Sequence, residues 1–210
     1  QGNVAISESK GDKQKLSQLI AQLVNQAGVS TRNVSVGVPS SRVFTTIADF
    51  DRLSPSDLKK SIPLQADALI PTPLAESKLD SVVLGDSPVY KGKVEVLLTS
   101  VPNNYIEDRL DMLESIGLNV IAFEPDNLAM ARALAINDPQ PQLLLDVGRR
   151  STDLVVISNG APRLTRSIPT GVEAIVKAAM QNLNIDDKQA EQFVFKFGLS
   201  KEKLEGQVFT

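Results

Sequence analysis

Apolar and polar residues alternate along the chain in short runs whose period switches between that of a helix and that of a strand. Asp12 to Ala27 sets Leu16, Leu19, Ile20 and Leu23 on one helical face, and Gly28 stands where a helix takes a left-handed end residue. Val34, Val36 and Val38 alternate as a strand does, and Pro39-Ser40-Ser41 breaks it. Val43 to Ala48 is a second β-rich run. Ser54-Pro55 then reads as an N-cap and first helical residue, with Leu58, Ile62, Ala66 and Leu69 on the buried face and a kink or break expected at Pro63. Leu79 to Leu84 and Val94 to Val101 read as strands joined by a turn over Gly85 to Gly92. Asn103 caps a helix over Tyr105 to Ile116, with Ile106, Leu110 and Leu113 inward and Gly117 at its end. A strand at Asn119 to Phe123 leads into another helix, where Pro125 suits the first turn.

After the Asp138-Pro139-Gln140-Pro141 loop, Leu143-Leu144-Leu145 suits a buried strand, closed by Asp146-Val147-Gly148. Arg149-Arg150-Ser151-Thr152-Asp153 precedes the apolar Leu154 to Ile157, and Asn159-Gly160 supplies the two positive-φ residues of a type I′ hairpin. Arg163 to Ile168 is the returning strand. Gly171 opens a helix with Ile175, Ala179 and Leu183 at helical spacing, and a further helix starts at Asp186. Phe193, Phe195 and Phe197 read as a core stripe, and Ser200 as the cap of a last short helix. Gln1 to Gly11 reads as a polar lead-in.

Composition narrows the chemistry. Of the 210 residues, 42% are hydrophobic and 22% charged, ordinary values for a globular protein able to bury one good core or two modest lobes. A net charge of −3 with few aromatics and no Trp gives no nucleic-acid surface. The absence of Cys and His removes disulfides, thiol and Ser-His-Asp catalysis, and nitrogen- or sulfur-ligated metals; a hard cation held by oxygen stays open. No apolar run is long enough to cross a bilayer and no signal pattern opens the chain, so a cytosolic protein, or one bound peripherally through a partner, is expected. The abrupt ends lead us to expect a piece of a longer protein.

The segment richest in chemistry runs from Leu143 to Gly171. A strand ending in Asp146, with the small-residue turn at Gly148 and the pair Thr152-Asp153, suits a nucleotide's phosphates and magnesium: turn N–H groups face phosphate oxygens and the carboxylate holds a metal-bound water. The pattern resembles the second phosphate-binding segment of the actin-like ATPases, the superfamily of actin, the large heat-shock chaperones and FtsA. Those proteins usually carry small or hydroxyl residues where this chain has Arg149 and Arg150, which either neutralise phosphate or mark a weakened site.

Val38 to Thr45 resembles the strand and turn that open the inserted subdomain of the PilM family, FtsA-like proteins of type IV pilus assembly. Gln65 to Leu74 is similar to that family's E-x-Y-I-P-x-P-L signature, with Leu69 where an aromatic is usual and Pro63 as a further departure. Asn119 to Leu134 looks like the connecting segment of the actin-like fold, in which an acidic residue before Pro approaches the metal and phosphate. Glu124 matches that residue, and reads equally well as an acid complementing a helix dipole.

The resemblance implies an α/β, actin-like (ribonuclease H-like) fold in partial domains, with an inserted small α+β subdomain of strand-helix-strand-strand order (the SHS2 kind). It divides the chain into 1–41 and 119–142 (first actin-like subdomain), 42–118 (insertion) and 143–210 (start of the second subdomain). It further implies ATP and Mg2+ as cofactors, with slow or no hydrolysis and weak binding by this piece, since the other phosphate hairpin and the adenosine loop are not found. Glu124 is then the catalytic residue; Asp146, Gly148, Ser151, Thr152, Asp153 and Gly171 bind the cofactor, Asp146 through the metal. The implied partners are the cytoplasmic N-terminal segment of PilN and other inner-membrane and motor components. Pro39, Phe44, Ile70 and Pro71 border the subdomain junction and are the expected peptide surface. Exposed sheet edges lead us to expect homo-oligomers by edge pairing or element swapping. The alternatives are a nucleotide-independent interaction module, an FtsA-like division protein and, without any visible substrate motif, a phosphotransferase.

Overall fold

The computed structural model describes residues 9–136, 138 and 140–198. In chain order its elements are α1 (Lys10–Gln26), β1 (Asn33–Val38), β2 (Phe44–Asp51), α2 (Pro55–Ala66), β3 (Ser77–Asp86), β4 (Lys93–Pro102), α3 (Asn103–Glu114), β5 (Asn119–Pro125), α4 (Asp126–Leu134), β6 (Gln142–Val147), β7 (Thr152–Ser158), β8 (Ala161–Ile168), α5 (Val172–Leu183) and α6 (Asp187–Phe197). Two units divide between Ala133 and Leu134.

In the first unit, β1 and β5 pair in parallel from Asn33 opposite Asn119 to Val38 opposite Pro125. Their apolar positions meet two helices in one cluster: Leu16 and Ile20 of α1, Val34 and Val36 of β1, Val120 of β5, and Met112, Leu113 and Ile116 at the end of α3. The first helix begins before Asp12, because the Ser9 hydroxyl accepts the Asp12 N–H at 3.2 Å and caps a polar first turn. Of the expected lead-in, residues 1–8 lie outside the described residues. Leu23, placed inward by periodicity, is 63% exposed, beyond the reach of the α3 contacts. Asn103 is not the cap of α3; Pro102 stands there, and the Asn103 side-chain amide donates to the Ala75 carbonyl. Pro125 ends β5 rather than starting a helix.

The first unit holds a second core as well. Strands β2, β4 and β3 form an antiparallel sheet in that order, and α2 covers it. Chain order is therefore strand, helix, strand, strand. Phe50, Val94, Val96 and Leu98 from the sheet meet Leu58, Ile62 and Ala66 from α2, with Ile70 just beyond the helix. Ser54 caps α2 and Pro55 starts it, as the sequence implies. The helix is not broken at Pro63. That residue forgoes one helical N–H bond, but Ile62 and Ala66 on either side are buried, and tertiary packing outweighs the local loss. Leu69 falls after the helix end and is half exposed.

The second unit pairs β6, β7 and β8 in that order, all antiparallel. Asn159 (φ 53°) and Gly160 (φ 72°) make the two-residue turn between Ser158 and Ala161, in the left-handed conformations that type I′ demands. Val155 and Ile157 of the central strand are almost wholly buried. The triple leucine is only half buried: Leu143 and Leu145 are 65% and 58% exposed. Strand period 2 turns them to the face opposite Leu144, and β6 is an edge strand among the described residues. Helices α5 and α6 pack through Val176, Ala179 and Ala190, and a reciprocal capping box of Asp186 and Gln189 starts α6. The aromatic stripe divides, because three alternate residues cannot share one helical face: Phe193 packs inward, with Phe197 at 4.9 Å between ring centres, while Phe195 is 74% exposed. The expected cap at Ser200 lies outside the described residues.

Candidate functional site

Antiparallel pairing puts Asp146 of β6 directly opposite Asp153 of β7, and Asp153 opposite Ser167 of β8. Side chains of directly opposed residues share a face, with Cβ atoms about 4.5–5.5 Å apart. Two carboxylates so placed repel one another unless a cation lies with them. Asp146 is exposed; Asp153 is half-buried and accepts the Ser151 hydroxyl at 3.0 Å on Oδ2. Its Oδ1 is buried with no hydrogen-bond partner, as is the Ser167 hydroxyl. A buried unsatisfied carboxylate oxygen is costly, and a hard cation or its water would satisfy it. Among the described residues no group of three Asp or Glu could hold a metal by itself. Two carboxylates fit magnesium that takes its other oxygens from water and phosphate.

After β6 the chain turns back on itself and is strapped to the start of α5. The Gly148 N–H donates to the Ser151 carbonyl at 2.9 Å. The carbonyls of Gly148 and Arg149 accept the Val172 and Glu173 N–H groups at 3.0 and 2.9 Å, and the Thr152 hydroxyl donates to the Thr170 carbonyl at 2.7 Å. Gly171 is buried against this loop: a Cβ there would lie 2.6 and 2.7 Å from the Arg149 carbonyl carbon and oxygen. The structure thus brings Asp146, Gly148, Ser151, Thr152, Asp153 and Gly171 into one loop-and-strand region. It also engages internally the Gly148 N–H, the two hydroxyls and the first α5 N–H groups.

Both loop arginines point at Glu173 in the first turn of α5. Arg150 Nε lies 3.2 Å and Arg149 Nε 3.9 Å from Glu173 Oε2, while Lys177 reaches Oε1 at 3.1 Å. Lys177, and after it Arg150, hold the Glu173 carboxyl below the usual range. Beside this network is a cavity of about 290 Å3. It is lined by Val147, Gly148 and Arg149 of the strand end and loop, by the apolar Val172, Val176 and Phe195, and by the acidic Glu173, Asp187 and Glu191. Sequence reasoning missed Glu173, Asp187, Glu191 and Phe195. The last three stand four residues apart on one face of α6, a spacing that was visible in the sequence.

The remaining expected residues lie in the first unit. Glu124, on β5 opposite Gly37, takes two bonds from Arg132 of α4, Nε to Oε1 at 2.9 Å and Nη2 to Oε2 at 2.6 Å. This hydrogen bonding holds the Glu124 carboxyl below its ordinary value, burial opposing and the Arg132 charge assisting. A carboxylate so held is a weak proton acceptor near neutrality. Its stabilising effect is complete above the ordinary value of 4.5 and fades as pH falls through the lowered folded value. Acid unfolding curves of Arg132→Gln and the parent should therefore stand apart above about pH 4.5 and converge only as pH falls through the lowered folded value. At the subdomain junction, Pro39 and Pro71 are exposed and Phe44 is half-buried. Ile70, expected on the peptide surface, is 7% exposed and is a core residue.

A family model described as type IV pilus assembly protein PilM matches residues 1–206. Among solved structures, a PilM-PilN type IV pilus biogenesis complex is 21% identical with a TM-score of 0.75, over 94% of this chain and 60% of that one. The ethanolamine utilization protein EutJ of Carboxydothermus hydrogenoformans is 26% identical over 49% of this chain and 37% of its own, with a TM-score of 0.39. MreB5 of Spiroplasma citri bound to ADP is 16% identical over 88% and 41%, with a TM-score of 0.48. The chain spans about three fifths of the pilus protein it matches. Its fold is the actin-like α/β fold expected from the sequence, with the strand-helix-strand-strand insertion in place. The chain belongs to the PilM family of type IV pilus assembly proteins.

Proposed function

We propose that this chain is part of an actin-like ATP-binding scaffold of type IV pilus assembly that binds the cytoplasmic N-terminal segment of PilN. Through it the scaffold joins the inner-membrane components to the pilus motor. The observation that carries nucleotide binding is the opposed pair Asp146 and Asp153, with a buried Asp153 oxygen that has no partner, beside the loop strapped to α5. Mg2+ would be held through Asp146 and Asp153, and would supply charge neutralisation at the phosphates. Val147 at the strand end, Gly148 and Arg149 all line the cavity, so phosphates at these residues leave the apolar side chain of Phe195 for a base and the carboxylates of Asp187 and Glu191 for ribose hydroxyls. Hydrolysis is slow or absent, in keeping with the weak basicity of Glu124.

Partner binding rests on the likeness to the PilM-PilN complex and on one feature of the first unit. Strand β2 is a sheet edge among the described residues, flanked by the exposed Pro39 and opened by Phe44. An extended segment pairing with such an edge gains backbone hydrogen bonds. No described helix is long and apolar enough to cross a membrane, which suits attachment to the inner membrane through partners.

Calorimetric titration of the full-length protein with Mg-ATP tests the nucleotide reading. Asp146→Ala is expected to weaken binding at least tenfold, because one of only two carboxylates at the cation is lost. A second reading, an interaction module without nucleotide, is favoured by Glu173 already occupying both loop arginines. It wins if the parent ignores Mg-ATP while still taking the PilN peptide.

A further inference from the structure

We infer that Glu173 is an internal competitor for phosphate: its carboxylate holds the guanidinium groups of Arg149 and Arg150, and an incoming polyphosphate binds by taking those two cations from it. This rests on the nucleotide reading above and assigns a role to three side chains which that reading leaves unused.

The geometry suits exchange rather than permanent closure. Arg149 and Arg150 are 74% and 46% exposed on a short loop, and the Arg149 contact, at 3.9 Å, is barely an ion pair. Exposed pairs of this kind are individually weak and yield readily to a better anion. The loop backbone does not depend on them, since the Glu173 N–H still donates to the Arg149 carbonyl. Glu173 is not stranded when the arginines leave, because Lys177 one turn along α5 keeps its other oxygen. Glu173 and Arg149 both line the cavity, so the exchange takes place at its lining.

The test is calorimetry on the full-length protein with Mg-ATP and with magnesium pyrophosphate. Glu173→Gln is expected to bind both about three- to tenfold more tightly, the range for releasing one or two exposed ion pairs. The gain should shrink between about 50 and 300 mM salt as the charges are screened. Lost charge repulsion alone would raise affinity with or without the arginines. In an Arg149→Gln/Arg150→Gln background the Glu173→Gln change is therefore expected to have less than about a twofold effect. Unchanged or weaker binding by Glu173→Gln, or a gain that persists without the arginines, overturns the inference. If parent and variant both ignore Mg-ATP and pyrophosphate, the nucleotide reading fails and takes this one with it; a silent parent with a binding variant supports it. Should Glu173→Gln not fold, Lys177→Gln gives the opposite reading. It leaves Glu173 wholly to the arginines and is expected to weaken binding; no change would overturn the inference.

Discussion

Phe50→Ala is expected to destabilise the full-length protein by about 3–5 kcal/mol, the cost of emptying a fully buried aromatic site. Phe50 is 0% exposed, at the centre of the core where β2 and β4 meet α2. Its neighbours Leu58, Ile62 and Ala66 are fixed by helix α2 and Val94, Val96 and Leu98 by the sheet, so little can move in to fill the space. A domain of this size has roughly 5–15 kcal/mol of stability in all, and this core closes only the strand-helix-strand-strand part of it. Amide hydrogen exchange should therefore show protection lost first over residues 44–102, before β1 and β5 are affected. Leu64→Ala in the same helix is the control. That side chain is 81% exposed, and its removal should change stability by less than about 0.5 kcal/mol. If PilN binds at the edge of β2, Phe50→Ala also weakens the peptide and Leu64→Ala does not. A Phe50→Ala cost below about 1 kcal/mol would mean that the site collapses around the cavity, contrary to the packing described here.

How far this fold can be read in the chain depends on whether the deciding contact is local. Asn159-Gly160 settles its own turn, because few residues tolerate positive φ twice in succession. Ser54 and Asp186 set helix starts within three residues of themselves. Contacts between distant elements were less legible. Periodicity shows that α3 has an apolar face but not which neighbour covers it. The helix falls within the expected insertion at 42–118, yet Met112 and Leu113 pack with Leu16 and Ile20 of α1 and with the parallel strands. Leu143 and Leu145 read as buried because three leucines in a row match a buried strand, whereas the strand lies at an edge with one face uncovered among the described residues. Pro63 reads as a break because local propensity knows nothing of the core on either side.

The candidate site follows the same rule. Asp146, Gly148 and Gly171 were visible as a spaced pattern, and the structure gathers them. That Asp153 stands opposite Asp146 follows from the register of β6 on β7, which the turn over residues 148–151 fixes. That Glu173 draws in Arg149 and Arg150 depends on a loop meeting a helix 23 residues later, and no local pattern reports it. The same contact bears on what the arginines do. As side chains in the sequence they either help or weaken phosphate binding; in the inference above, paired to Glu173, they are cations held in reserve.

Gly171→Val is expected to abolish that arrangement, with Mg-ATP binding weakened tenfold or more and stability lowered by about 1–3 kcal/mol through overpacking. Backbone strain plays no part. Gly171 has φ −138° and ψ −166°, an extended conformation open to any residue, so the demand for glycine is purely one of space. A side chain there would strike the carbonyls of Gly148 and Arg149, both backbone groups that cannot rotate away. Relief requires the loop to lift from α5. That would break the bonds from the Val172 and Glu173 N–H groups, carry Arg149 away from the cavity it lines and take Arg150 from Glu173. Gly160→Ala separates this from general loss of stability. Gly160 has φ 72° and nothing within 4 Å of a would-be Cβ, so alanine should cost about 1–2 kcal/mol in backbone strain and leave the strapped loop untouched. Thermal melts should therefore place the two variants close together, while calorimetry with Mg-ATP separates them, Gly160→Ala binding like the parent. If Gly171→Val binds like the parent as well, the strap between loop and helix has no part in holding phosphate. Nucleotide binding by this region would then rest on Asp146 and Asp153 alone.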